Sequence, residues 1–141
     1  MKKLYKEIKF KKFSDGRGDL IPLEFGKDFP NADIPFDVKR CFFISPKHDE
    51  IRAKHAHKWV EQVIICLEGS FDLVLKDGKG NEETLTLSNY YNGIHIPKLV
   101  WNELKNFSST CKILVLASDH YIPEEYINKY NDFLEQVKKD S

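Results

Sequence analysis

The sequence has no excess of either charge. Its 141 residues include 22 Lys and Arg and 22 Asp and Glu, which gives a formal net charge of zero. Proteins that bind nucleic acid carry a basic surplus, because affinity for the phosphate backbone comes from neutralising its charge. The neutral balance therefore argues against nucleic acid as the main partner. A chain of this length suits one domain, so we expect a single domain over residues 1–141.

Long hydrophobic runs are also absent. No stretch approaches the roughly 18 apolar residues of a membrane-spanning helix, and the basic opening "MKKLYKEIKFKKF" lacks the apolar core of a signal peptide. Cysteine is scarce: Cys41, Cys66 and Cys111 are an odd number without close spacing, each within an apolar run. We expect three small core residues rather than disulfides or a metal cluster. Together these features predict a cytoplasmic protein with no membrane partner.

What the sequence does contain is a series of short strand patterns up to residue 118. "LYKEIKF", "LIPLEF" and "KRCFFIS" alternate at least in part, and "VIICLEGSFDLVLKDGKGNEETLTL" indicates three strands joined by glycine turns. "GIHIP" and "VWNELKNF" indicate another pair of strands around Pro97, and "CKILVLAS" is typical of a buried strand. Many short strands with Gly and Pro turns predict an all-β sandwich or barrel.

The last segment has a different pattern. "PEEYINKYNDFLEQVKK" begins with Pro123 and two acidic residues, which are favourable at a helix start. Its apolar residues fall at helical spacing on one face, and they are Tyr126, Ile127, Tyr130, Phe133, Leu134 and Val137. We therefore predict a C-terminal amphipathic helix, beginning at Pro123, that packs on the barrel or on a partner subunit.

The residues most suggestive of chemistry lie in "KHAHKWVEQ". His55 and His57 are two apart, so on a strand both imidazoles would project from the same face. A histidine pair flanked by lysines is hard to explain as core packing, although two half-exposed surface histidines stay open as the simpler alternative. The reference pKa of an imidazole is about 6.5, so such a pair can accept and release protons near neutral pH.

The spacing around this pair resembles the first motif of the cupins, in which H-x-H is followed by Glu and then by Gly. Here Gln62 stands in the Glu position, and Asn102 stands where the second cupin motif has a histidine. An amide oxygen is a weak ligand for a transition metal, and a catalytic site usually has three strong ligands. The sequence therefore favours a pocket with no metal and no cofactor, although His95 is left open as a replacement ligand.

Over most of its length the chain resembles the sugar-nucleotide 3,4-ketoisomerases, which are cupins that act on dTDP-4-keto-6-deoxyglucose. The stretches that carry the resemblance occur in the family's order, and they are "DGRGDLIPLE", "IPFDVKRCFFI", "HAHKWVEQVIICLEGSF", "GIHIPKLVW" and "VLASDHYIPEEYINKY". The family often has Arg-Gly where this chain has Arg52-Ala53. If the backbone there requires a positive φ, alanine is strained by its Cβ.

The resemblance implies a cupin-type double-stranded β-helix (jelly roll), all-β with a C-terminal α-helix, and a homodimer with exchanged N-terminal strands. It also implies metal-free acid/base catalysis through an enediol, with His55 serving the carbon atoms and His57 the oxygens. The sequence itself does not rank the two histidines. The product would be a dTDP-3-keto-6-deoxyhexose, which an aminotransferase then uses to make a 3-amino deoxysugar for a surface glycan such as O-antigen.

Further residues are expected near the substrate, with Gln62 in the pocket wall. Arg40 and Arg52 are candidates for holding the diphosphate, because Arg makes the bidentate contact that phosphate suits. A surface or dimer salt bridge is the alternative for each. His95 is expected to point into the barrel and to favour the galacto product. Trp101 is expected in the barrel core or as a wall of the sugar pocket, and the choice between thymine and uracil stays open.

Three other functions stay open. A sugar-nucleotide 3,5-epimerase is also a cupin, but it usually pairs one histidine with Tyr and Asp, which the histidine doublet fits less well. A non-catalytic sugar-binding cupin would bind its ligand without exchanging protons. A metal-dependent cupin oxygenase would hold about one iron or zinc per chain.

Overall fold

The computed structural model describes residues 3–141, and short antiparallel strands make up most of it. A single turn of 3-10 helix at Pro123–Glu125 and one α-helix, α1 at Tyr130–Asp140, follow the main run of strands. The strands are β1 (Lys6–Lys9), β2 (Phe13–Asp15), β3 (Gly18–Leu20), β4 (Arg40–Ile44), β5 (Arg52–His57), β6 (Gln62–Glu68), β7 (Phe71–Lys76), β8 (Glu82–Leu87), β9 (Asn92–Ile96), β10 (Trp101–Lys105), β11 (Lys112–Ala117) and β12 (Tyr126–Ile127). The predicted all-β class with a C-terminal helix is confirmed.

Ten of these strands form two five-stranded antiparallel sheets. Sheet 1 has the order β1-β9-β6-β11-β4, and sheet 2 has the order β12-β5-β10-β7-β8. The remaining strands, β2 and β3, pair only with each other as a hairpin. Strands distant in the sequence are neighbours in both sheets, so the two sheets close on each other as in a jelly roll.

The main core lies between the two sheets. Inward side chains alternate along each strand, so that Cys66 of β6 and Ile113 of β11 meet Leu73 and Leu75 of β7, all with no exposed surface. Burial of apolar surface of this kind is the dominant favourable contribution to folding. The pocket described below is the part of this interior that side chains leave unfilled.

The outer faces of both sheets are also covered. Residues 21–38 cross the outer face of sheet 1, where Ile34 and Phe36 pack against Val63 and Ile65 of β6. Helix α1 covers sheet 2, where its Phe133 packs with Ala56, Trp101, Ile127 and Val137. Strands buried on both faces are apolar at consecutive positions, and this explains the continuous runs "VIICL" and "ILVLA".

Two expectations about the first half of the chain are wrong. "LIPLEF" forms no strand beyond Leu20: the chain continues as the irregular cover of sheet 1, tied by one bridge between Phe25 and Ile34. Cys41 is exposed on β4 and only Cys66 and Cys111 are buried core residues, because the alternation of β4 turns Phe42 rather than Cys41 inward. All three cysteines are free.

The start of the C-terminal helix is also predicted wrongly. The α-helix begins at Tyr130, and Tyr126 and Ile127 instead extend sheet 2 by pairing with His57 and Ala56. The edge of β5 offers unpaired backbone groups, and satisfying them outweighs the helical propensity of this segment. Within residues 3–141 no helix has the length and hydrophobicity needed to cross a membrane.

Replacing Gly69 by alanine is expected to destabilise the fold. Gly69 turns the chain from β6 into β7 with φ of +73°, and an added Cβ would collide with Ser108 Oγ and press on the backbone of Cys111. The left-handed conformation alone costs alanine about 1–2 kcal/mol, and the collision adds to it. Gly16→Ala is the control, since its Cβ would meet open space. Urea unfolding measures both, and equal stabilities would contradict this account.

Candidate active site

A cavity of about 130 Å³ lies between the two sheets. Sheet 2 contributes His55 and Arg52 from β5, and sheet 1 contributes Gln62 from β6 and Arg40 from β4. Four of the predicted site residues therefore line one cavity, although they are spread over more than twenty positions of the sequence. The rest of its wall includes apolar side chains from both sheets, so the cavity combines an apolar wall with a set of polar groups, as ligand pockets commonly do.

The two histidines project from the same face of β5, as the sequence predicts. The ring centroids of His55 and His57 are 4.9 Å apart, with the rings nearly perpendicular. Just before them, Ala53 and Lys54 have φ of 67° and 58°, and the pairing of β5 with β10 shifts register at this point. The backbone at Ala53 therefore does have the positive φ at which alanine is strained, and the irregularity sets how β5 presents His55 to the cavity.

His57 is held by a buried glutamate that the sequence analysis does not single out. Its Nδ1 lies 2.6 Å from Glu125 Oε1, and Glu125 is 1% exposed. The other carboxylate oxygen of Glu125 accepts the backbone N–H groups of Trp59 (3.3 Å) and Val60 (3.1 Å). The second imidazole nitrogen of His57, Nε2, is buried without a hydrogen-bond partner among the described residues.

Tyr126 stands beside both imidazoles. Its ring centroid is 5.1 Å from that of His55 and 4.7 Å from that of His57. Arg40 Nη1 donates a hydrogen bond to the Tyr126 hydroxyl at 3.1 Å, and the guanidinium also lies over the ring of Phe42. The phenol of Tyr126 therefore lines the cavity. Its oxygen accepts from the guanidinium of Arg40, so its hydroxyl hydrogen is free to be donated to another group.

The environment shifts the proton affinities of both histidines. Burial lowers the pKa of His55 to about 4, and the adjacent His57 adds to this shift. Burial also lowers the pKa of His57, but the carboxylate of Glu125 opposes that effect. The two imidazoles thus differ in chemistry, because only His57 has an acidic partner to compensate a positive charge.

The two amides of the cupin pattern also lie at the cavity. Gln62 and Asn102 line it and are almost completely buried, and Asn102 Nδ2 donates to the backbone oxygen of His55 at 3.3 Å. Two imidazoles and two neutral amides are a weak donor set for a transition metal. Among residues 3–141, no three His, Cys, Asp or Glu side chains form a group that could hold a metal ion.

Two predicted site residues lie elsewhere. His95 points away from the cavity, so the expectation that it faces the barrel interior is wrong. Its Nε2 lies 2.7 Å from Glu61 Oε1, and its ring packs near Phe36 on the outer side of sheet 1. Trp101 is buried under helix α1 against Phe133, and its Nε1 donates to Glu103. Strand alternation explains both positions, because the neighbours Ile96 and Asn102 take the inward direction.

Glu125 and Tyr126 are the site residues that sequence reasoning missed. Both belong to "PEEY", whose Pro and acidic residues are typical of a helix start, and a helix would have turned Tyr126 onto its apolar face. The signal that could have found them is the resemblance itself, because this stretch lies in the second of the resembling segments that follow "HAH" and contains an acid that a catalytic histidine could use.

The chain matches a known family model over residues 3–138, the family described as FdtA, WxcM-like, C-terminal. This match spans nearly the whole chain, and the chain therefore belongs to this family. The predicted membership is thus confirmed.

Named relatives agree with this assignment. A TDP-4-oxo-6-deoxy-α-D-glucose-3,4-oxoisomerase from Aneurinibacillus thermoaerophilus is 42% identical over 135 residues, which cover 95% of this chain and 93% of that protein. The structure of a 3,4-ketoisomerase from Helicobacter canadensis matches with 43% identity and a TM-score of 0.87, over 95% of this chain and 97% of that one. A mutant of the 3,4-ketoisomerase QdtA from Thermoanaerobacterium thermosaccharolyticum, solved with TDP-4-keto-6-deoxyglucose, matches with 38% identity and a TM-score of 0.89 over 99% and 97%. These matches confirm the predicted cupin-type fold.

Acid is expected to destabilise the protein partly through His55. The pKa of His55 is about 4 in the folded state and about 6.5 in an unfolded chain, so the unfolded state binds more protons between these values. The free energy of unfolding should therefore fall as the pH drops through that window, by at most about 2 kcal/mol from this group between pH 7 and pH 5.

Urea unfolding at pH 7 and pH 5 checks this expectation. His55→Gln removes the titrating group, so this variant should lose less stability than the wild type over the same interval. His48→Gln is the control for losing an imidazole at an exposed position. If wild type and His55→Gln lose the same free energy, His55 does not carry the effect.

Proposed function

We propose that this protein is a TDP-sugar 3,4-ketoisomerase that acts on TDP-4-keto-6-deoxyglucose by acid/base catalysis without a metal. The observation that carries the proposal is a pair of imidazoles on one face of β5, in which His55 lines a cavity between the sheets and His57 lies beside it, with the ring centroids 4.9 Å apart. Membership of the family and the named activities of the relatives supply the substrate class.

The reaction requires only proton movements. One base removes the hydrogen of C3 as a proton, and a second base moves the proton of the C3 hydroxyl to the C4 oxygen, which gives the anion of an enediol between C3 and C4. The first base then delivers a proton to C4, and the ketone is now at C3. One hydrogen has moved between carbons and one between oxygens, so two proton carriers are needed, and no electron acceptor is required.

The two histidines suit these two tasks. The lowered pKa of His55 keeps its imidazole unprotonated at neutral pH, so it can take the hydrogen of C3 as a proton, which exchanges with solvent before a proton is delivered to C4. His57 pairs with Glu125, which compensates the positive charge that forms when its imidazole takes a proton from a sugar oxygen. Tyr126 adds a hydroxyl next to both rings that can donate to a negatively charged enediol oxygen.

The wall of the cavity suits the sugar end of the substrate. A cavity of about 130 Å³ is smaller than the roughly 300–1,000 Å³ of typical ligand pockets, so only the reacting ring would enter and the nucleotide would lie at the mouth. Arg40 and Arg52 line the same cavity, and neither forms a salt bridge within residues 3–141. These cations are our candidates for the diphosphate, and Gln62 for a sugar hydroxyl.

The configuration at C4 of the product is not tied to any residue of the cavity. The galacto preference rests on His95, whose imidazole lies on the outer face of β9 beside Glu61. Either 3-keto product is suited to an aminotransferase, because a ketone at C3 is the group that such an enzyme converts into an amine. We therefore place this reaction before amino transfer in the making of a 3-amino deoxysugar.

The direct test is NMR of the purified protein with TDP-4-keto-6-deoxyglucose in D₂O. We expect a 3-keto product with deuterium at C4, formed at the same rate with EDTA present, because the amides of Gln62 and Asn102 are poor metal ligands. Deuterium at C3 and C5 without movement of the ketone would indicate a 3,5-epimerase instead. Binding without any exchange would indicate a sugar-binding cupin, and loss of activity in EDTA would contradict the metal-free mechanism.

His55→Asn is expected to abolish turnover while TDP binding stays near the wild-type value. Asparagine is close in size to histidine but cannot take up a proton, so the carbon transfer fails while the cavity keeps its shape. Turnover is measured by the NMR assay and TDP affinity by calorimetry. If His55→Asn keeps its activity, the assignment of His55 to the carbon atoms is wrong.

We also propose that the protein is a homodimer. The β2–β3 hairpin exposes Phe13 (58%) and Leu20 (65%), which are cross-strand partners. An isolated two-stranded hairpin is marginally stable in water, so a second copy that covers this pair would stabilise it. β1 pairs with β9 at the edge of sheet 1, and exchange of N-terminal strands would make the same pairing between two chains.

Removing the apolar pair of the hairpin is expected to weaken the dimer. The double variant Phe13→Ser with Leu20→Ser should sediment as a monomer at concentrations where the wild type sediments as a dimer, because it loses the apolar surface that association would bury. Tyr130→Ser, which changes a partly exposed aromatic on helix α1, is the control and should stay dimeric. A monomeric wild type, or an unaffected double variant, would contradict this surface.

A further inference from the structure

We infer that Glu125 is a positioning residue, which holds His57 with its proton on Nδ1 so that the buried Nε2 is a bare acceptor. The inference deepens the proposed function and depends on it for the identity of the substrate. The protonation site of His57 can nevertheless be measured in the protein alone, so the two can fail separately.

The hydrogen bonds of Glu125 decide which nitrogen carries the proton. Its Oε2 accepts two backbone N–H groups, those of Trp59 and Val60, and two such donors favour the ionised carboxylate. A carboxylate has no hydrogen to donate, so the contact of 2.6 Å between Oε1 and His57 Nδ1 requires the imidazole to be the donor. The short distance is that of a charge-assisted hydrogen bond.

The opposite nitrogen of His57 is then left with a lone pair. Nε2 is buried and has no partner among residues 3–141, which is unusual because buried polar atoms are nearly always paired. The imidazole of His57 lies beside the rings of His55 and Tyr126, at ring-centroid distances of 4.9 and 4.7 Å, and both of those residues line the cavity. An unpaired acceptor on a ring beside the cavity wall is the arrangement needed to take a hydroxyl proton from a sugar and return it to the neighbouring oxygen.

Only one of the two histidines has this support. The described residues give the side chain of His55 no hydrogen-bond partner and no acidic neighbour, whereas the carboxylate of Glu125 can stabilise the imidazolium form of His57. The asymmetry separates the two tasks of the reaction. His57 has a carboxylate to compensate the positive charge that it gains during the reaction, whereas His55 is unprotonated before the reaction and has no such partner.

The backbone holds Glu125 rigidly in place. Its N–H donates to the oxygen of Ile122 within the 3-10 turn, and its own carbonyl oxygen accepts the N–H of Lys58, directly after β5. The next residue, Tyr126, pairs with His57 in sheet 2. Glu125 and His57 are therefore fixed to the same edge of the sheet, so the carboxylate cannot drift from the imidazole.

Glu125→Gln is the most direct test, because it keeps the shape of the side chain but should move the imidazole proton of His57 from Nδ1 to Nε2. The two backbone N–H groups at positions 59 and 60 need an acceptor, so the glutamine oxygen must face them. Its NH₂ group then faces His57 Nδ1 and donates to it, which moves the imidazole proton to Nε2. The buried nitrogen, Nε2, changes from an acceptor to a donor.

We expect kcat of Glu125→Gln to fall by about 10²–10⁴, the usual contribution of a general acid/base, with the affinity for TDP within a few-fold of the wild type. ¹⁵N NMR of the protein without substrate should show His57 protonated on Nδ1 in the wild type and on Nε2 in Glu125→Gln. The signal is assigned by its absence from His57→Gln. A residue that only stabilised the fold would not move this signature.

Glu124→Gln is the matched control, since Glu124 is the exposed neighbour with the same side chain. It should keep wild-type kcat and the wild-type ¹⁵N signal. Wild-type His57 protonated on Nε2, or a folded Glu125→Gln with unchanged kcat, would overturn the inference. If Glu125→Gln does not fold, the wild-type spectrum alone decides. Protonation on Nδ1 in a protein that moves no ketone would support the inference and reject the proposed substrate.

Discussion

The pairing of β12 with β5 is the interaction on which the rest of the site depends. β12 has only two residues, Tyr126 and Ile127, yet it satisfies backbone groups at the edge of sheet 2 and fixes the chain on both sides. The carboxylate of Glu125 enters from just before it, and helix α1 follows just after it over the outer face of the sheet. Without this pairing His57 would lose its acidic partner, Tyr126 would leave the cavity, and Ile127 would leave the core beneath the helix.

The two histidines show how a sheet can give different chemistry to identical side chains. His55 and His57 share a strand and a face, and burial disfavours a positive charge on each of them. The difference comes from residues that reach them across the sheet. Glu125 approaches one ring, while the neighbour of the other on β10 is the neutral amide of Asn102. The division of work follows from the strand order rather than from the sequence of β5 itself.

Local sequence patterns predict the parts of the structure that are set by strand alternation. The strand patterns of β6 to β11 and the shared face of His55 and His57 depend on a period of two, which can be read from the residues. The resemblance supplies the family and the place of Gln62 in the motif, and the affinity of arginine for phosphate singles out Arg40 and Arg52, which also line the cavity. The same two-residue alternation points His95 away from the cavity and its neighbour Ile96 toward it. The sequence around Pro97 does not show which of the two side chains faces inward.

The failures concern contacts between distant segments. Glu125 contacts His57 across 68 positions of sequence. Nothing in "PEEY" indicates that this segment will lie against the unpaired edge of β5. Local propensity favours a helix at this point, and the edge of β5 overrides it. Likewise, the burial of Trp101 under α1 depends on which face of sheet 2 the helix covers, and that is decided only when the chain is folded.

The cavity draws different kinds of residue from its two walls. Sheet 2 supplies the candidate proton carrier His55 with Asn102 and Tyr126, whereas sheet 1 supplies Gln62, Arg40 and mainly apolar side chains such as Ile64 and Val115. Mutations of the apolar side chains in the sheet 1 wall can therefore reshape the space for a sugar while the proposed catalytic groups keep their mutual geometry. Such a separation lets substrate preference diverge during evolution while the chemistry is inherited unchanged.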